Sequence, residues 1–132
     1  FVTNSSHWTK ILNSYGLKAK QESLKGFSED QRLEIIKDAI RRDTPIMLLI
    51  GNGYRGNGIW SMIRWWLISH WITVWGFDDK ENVFYIYDSC VSLKYYSKNI
   101  PTGNVKRTYQ NVLRDLGGGQ PWWRRYHYIK IL

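Results

Sequence analysis

Apolar residues recur at helical spacing through the first third of the chain and fall into strand-like runs after it. Trp8, Ile11, Leu12 and Tyr15 share one helical face, so a helix is expected over residues 5 to 15. Gly16 suits the left-handed position beyond its end, and the polar run Thr3-Asn4-Ser5-Ser6 supplies N-cap side chains. Residues 17 to 27 are polar, with a short helix expected around Gln21 to Leu24. Ser28-Glu29-Asp30-Gln31 has the form of a capping box. It opens a helix whose apolar face is Leu33, Ile36, Ala39 and Ile40, with Ile35 on the flank. Arg41 and Arg42 suit the negative end of that helix, and Asp43-Thr44-Pro45 stops it.

The pattern then changes period. Ile46 to Ile50 is a continuous apolar run after a proline and predicts a buried strand. A glycine-rich loop, Gly51 to Gly58, follows without the Gly-Lys-Ser/Thr step of a phosphate loop. Ile59 to Ile68 is consistent with a short helix or with an irregular apolar approach to the next strand. His70–Phe77 and Val83–Tyr87 predict two strands joined by the polar turn Asp78-Asp79-Lys80-Glu81-Asn82. Val91 to Asn104 is strand-poor. Val105, Tyr109, Val112, Leu113 and Leu116 predict one amphipathic helix, stopped by Gly117-Gly118-Gly119. Trp122 to Leu132 alternates and predicts a terminal strand. Helices first and mostly antiparallel strands later give an α+β domain, with N-terminal helices packed on a mainly antiparallel sheet. At 132 residues the whole chain is expected to form one domain.

Composition adds two facts. Eight Trp and nine Tyr are an unusual aromatic load, part of which must fill the core, and the Trp65-Trp66 and Trp122-Trp123 pairs are expected in the core and cleft wall. The net charge of +8 is concentrated after Ser89, where Asp115 is the sole acid. A basic, aromatic-rich surface admits nucleic acid or an anionic surface as partner. No apolar run approaches the roughly 18 residues that span a membrane.

The hairpin carries the candidate chemistry. A histidine opens its first strand, an aspartate follows its second, and an antiparallel hairpin brings its open ends together. His70 and Asp88 are therefore candidates for a general base and the carboxylate that orients it. The structural alternative is a partly buried histidine bonded to a strand-end carboxylate. Cys90, the lone cysteine, would share the face of Asp88 in a continued strand, where a buried thiol is the simpler reading. His7 and His127 have no partners at zinc-ligand spacing, so neither a metal nor another cofactor is expected.

Pro45 to Ile50, His70 to Phe77 and Val83 to Ser89 together resemble the second half of papain-like cysteine peptidases, specifically the bacteriocin-processing, double-glycine peptidase-like branch. Leu12-Asn13-Ser14-Tyr15-Gly16 resembles the end of that branch's nucleophile-bearing helix. The resemblance covers about Thr3 to Leu116 and implies a papain-like fold with His70 and Asp88 at the catalytic positions. Counted back from Gly16 with the family's spacing, the nucleophile position falls on Thr3, with Asn4 and Ser5 at the Gly-Pro positions. The oxyanion-stabilising glutamine would fall before Phe1.

In an intact site the thiol is acidified by a helix N-terminus and an imidazolium. A threonine hydroxyl is not. The resemblance thus implies a degenerate, peptide-binding member, or a hydrolase or acyltransferase with an altered nucleophile. Its partner would be a peptide or protein segment. Trp71, with Gly53 and Tyr54 of the glycine-rich loop, are the candidates to contact it. The rival is a basic, aromatic-rich module for nucleic acid or an anionic surface, with nucleic acid the less favoured. Prokaryotic cytoplasmic and secreted settings are both compatible with the sequence.

Overall fold

The computed structural model describes residues 4–52, 57–101 and 103–132. In chain order its elements are α1 (Ser5–Ser14), β1 (Ala19–Ser23), α2 (Glu29–Arg41), β2 (Ile46–Gly51), α3 (Ile59–Leu67), β3 (Ser69–Asp78), β4 (Val83–Tyr87), β5 (Val105–Thr108), α4 (Tyr109–Asp115) and β6 (His127–Ile131). The strands form one six-stranded sheet in the order β1-β6-β2-β3-β4-β5, with every pairing antiparallel. The class is α+β, as the pattern predicted.

Side chains alternate across a strand, so register sorts them by face. Ile50 pairs with His70, Leu48 with Ile72 and Ile46 with Val74. The aliphatic members of those pairs, with Phe84, Ile86 and Val105, form one buried core, and His70 stands at its edge. α2 closes it with Ile36 and Ala39, and α4 with Tyr109, Val112 and Leu116. The capping box of α2 is formed reciprocally, Ser28 accepting from the Gln31 amide and Gln31 from the Ser28 amide. On the other face, register aligns Gln21, Ile129, Met47, Leu49 and Trp71. α1 lies over that face, against β1 and β6, and Ile129 and Leu49 are buried there.

Three expectations about the elements are corrected. Gln21 to Leu24 is not a helix. Residues Ala19–Ser23 are an edge strand paired with β6, and Leu24 beyond it plugs the core. The ladder offered by β6 overrides a weak local preference. Val105 to Leu116 is not one helix. Its first four residues pair with β4, and Thr108 caps α4 by accepting the Asn111 amide at 3.1 Å. The terminal strand starts only at His127, because Trp122–Arg124 form a short 3-10 turn. Both tryptophans of that turn are exposed rather than in the core. Within the polar run offered as caps, Asn4 is the residue that caps α1, by accepting the Ser6 amide.

Candidate functional site

β3 and β4 bring His70 and Asp88 together at the end of the sheet. His70 Nε2 lies 2.6 Å from Asp88 Oδ1. The carboxylate is almost wholly enclosed, at 2 % side-chain exposure, and the ring is 17 % exposed. An ionised carboxylate only accepts, so Nε2 carries a proton, and in the neutral imidazole Nδ1 keeps its lone pair. That is the protonation a general base requires.

Several groups fix the carboxylate. Burial opposes its ionisation, but the His70 hydrogen bond and charge, the Cys90 amide and the Arg107 charge outweigh it, holding Asp88 below the ordinary carboxylate range. The Cys90 N–H donates to Asp88 Oδ1 at 2.9 Å. Beyond the end of β4 no strand satisfies the Asp88 backbone. Asn104 does so instead, its Oδ1 accepting from Asp88 N at 2.9 Å and its Nδ2 donating to Asp88 O at 2.8 Å. The sequence reading missed Asn104. The Gly103-Asn104 dipeptide, which turns here at φ +88° on the glycine, was the available signal.

Behind this lies a second buried carboxylate. Asp115 of α4, fully buried, accepts from Arg107 of β5, from Arg114 Nε at 2.9 Å and from Trp65 Nε1 at 2.8 Å. It ties α3, α4 and β5 together beneath the His70 end of the sheet.

The other candidates are distributed differently. Trp71 pairs with Leu49 and is half-buried on the face opposite His70, because neighbouring strand residues point to opposite faces. Cys90 is exposed rather than buried, since β4 ends at Tyr87 and the chain turns away. Its sulfur lies 3.9 Å from Ser89 Oγ. Thr3, Gly53 and Tyr54 lie outside the described residues.

The first turn of α1 can be located. Ser5 Oγ approaches Gln21 Oε1 of β1 at 3.5 Å, and the Asn13 side chain at the other end of the helix accepts the Ala19 amide. The N-terminus of α1 therefore points to the same end of the sheet as His70. It does so over the opposite face, and β1 stands three strands from β3, about 14 Å at ordinary strand spacing. The Ser5 hydroxyl is bound at that distance and is no nucleophile for His70.

The chain matches the model of the Peptidase C39-like family over residues 2–121. No curated protein and no solved structure matches it.

Proposed function

Because the chain belongs to the Peptidase C39-like family, we propose that it is a peptide-binding member of that family. In this reading it retains the base and its orienting carboxylate but has lost the thiol. His70 is the base and Asp88 fixes its tautomer. Thr3 occupies the nucleophile position, and Trp71, Gly53 and Tyr54 belong to the peptide-contacting surface.

The observation that carries this reading is the 2.6 Å His70–Asp88 contact at an enclosed carboxylate. In the neutral ring it leaves Nδ1 as the basic nitrogen. The loss of the thiol rests on the sequence, which has one cysteine, placed on the Asp88 side of the pair. A threonine hydroxyl beside imidazole is a far weaker nucleophile than a thiolate.

The test uses the chain as it stands and a panel of unstructured peptides, some carrying a Gly-Gly step. Binding is followed by calorimetry and cleavage by mass spectrometry. Binding without cleavage is expected. Thr3→Cys tests the nucleophile position that the family's spacing gives: slow cleavage that His70→Ala removes would support it, and no cleavage would show that Thr3 does not reach His70. Cleavage by the unaltered chain that disappears in His70→Ala would overturn the degenerate reading.

A further inference from the structure

α3 has no buried residue. Ser61 and Trp65, one turn apart, face the body of the protein, and Trp65 is fastened to Asp115 and packed on Gly118. The remaining surface presents Ile59, Trp60, Met62, Ile63, Trp66 and Leu67, all exposed, with Trp60 at 75 %. A helix apolar nearly all round belongs in a core or against lipid. The patch continues onto the 3-10 turn. Arg125 lies over the Trp66 ring at 5.9 Å, Lys25 over Trp122 at 5.7 Å, and Trp122 and Trp123 meet edge to face at 5.9 Å. An apolar surface this continuous marks an interaction site.

We propose that α3 and the Trp122–Arg124 turn form a docking surface for an anionic lipid bilayer, with α3 lying in the headgroup plane. Charge selects this partner. From Asn57 to Phe77, and again from Leu116 to Leu132, the sequence has no acid, while Arg64, Arg124 and Arg125 flank the apolar groups. Tryptophan beside arginine at the rim of an aliphatic face is the composition that sits at a lipid headgroup boundary. A nine-residue helix is about 13.5 Å long, well short of a bilayer core, so it lies on the membrane rather than across it. No described helix is long and apolar enough to cross.

The competing occupants fit less well. A second copy would bring two clusters of the same positive charge, Arg64, Arg124 and Arg125, into one interface with no acid of this patch to offset them. A nucleic-acid strand would stack on the tryptophans but leave Ile59, Ile63 and Leu67 against phosphates. Docking does not rest on the role given to His70. It would, however, bring that residue, two positions beyond Ile68, close to the lipid surface.

The experiment is co-sedimentation of the chain with phosphatidylcholine vesicles, with and without phosphatidylglycerol, alongside quenching of its tryptophan fluorescence by brominated acyl chains. Binding to the phosphatidylglycerol vesicles with quenching is expected. Trp60→Ser combined with Leu67→Ser should weaken it at least about tenfold while leaving the far-UV circular dichroism unchanged, because both side chains are exposed. Arg64→Glu with Arg124→Glu should abolish the preference for anionic lipid. No sedimentation at low salt would overturn the proposal. So would binding without quenching, binding indifferent to the serine variant, or a dimer or oligonucleotide complex formed through this face in place of vesicle binding.

Discussion

Asp88 occupies a position with no strand to complete it, and the side chain of Asn104 takes the strand's place. One amide supplies an acceptor for the Asp88 N–H and a donor for its C=O. Asn104 is itself 8 % exposed, so water does not substitute freely. Asn104→Ala should therefore leave two buried backbone groups unpaired and cost about 1–3 kcal/mol. A chemical-denaturation midpoint that barely moves would show that the clamp is not needed. His70 and Asp88 were legible because a hairpin's open ends must meet, and that is a consequence of chain geometry alone. Asn104 was not legible, because its partner is a backbone that every residue possesses. The Gly103-Asn104 dipeptide marks a turn there but does not say what the amide binds.

Among the elements, α3 was the one left open between helix and irregular chain. No residue of the helix is buried, and Trp65 fastens it through Asp115 and a close approach to a corner of glycines. Gly118 sits where a Cβ would come 2.8 Å from Trp65 Cε2 and 2.9 Å from Gly51 Cα. Gly119 donates its N–H to Trp65 O at 2.9 Å. The Gly117-Gly118-Gly119 run reads in sequence as a helix stop, and it is one, but its second role is this close approach to α3. Gly118→Ala should cost about 1–3 kcal/mol through overpacking and expose the Leu67–Ile68 region to limited proteolysis. A variant with unchanged midpoint and digestion pattern would mean that the corner relaxes freely. The edge strand β1 escaped the sequence reading for the opposite reason. Its alternation is polar on both faces, and only the β6 ladder makes it a strand.

At the scale of the whole molecule, acid sensitivity should come in two stages with different physical origins. His127 lies on β6 with Nδ1 buried and unpartnered. Burial first, and then the nearby Arg124 charge, lower its pKa from the ordinary 6.5. A group depressed on folding binds its proton more readily in the unfolded chain, so its contribution is intact above about pH 6.5 and is lost as pH falls through the folded value. The slope cannot exceed about 1.4 kcal/mol per pH unit, the limit for one proton.

The carboxylates act later. Glu22 is lowered by Lys130 and Tyr128, Asp79 by Lys37 and Tyr109, and Asp88 by His70 against its burial. Each favours the folded state above its unfolded pKa, near 4, and loses that advantage as pH falls further. Stability measured by urea titration from pH 8 to pH 3 should thus decline once below about pH 6.5 and again below about pH 4.5. His127→Phe should remove the first decline and leave the second. Added salt should weaken the Asp79 share of the second, because Asp79 is exposed and screened, and spare that of the enclosed Asp88. If the wild-type and His127→Phe profiles stay parallel between pH 7 and pH 5, the buried ring is not the source of the early loss.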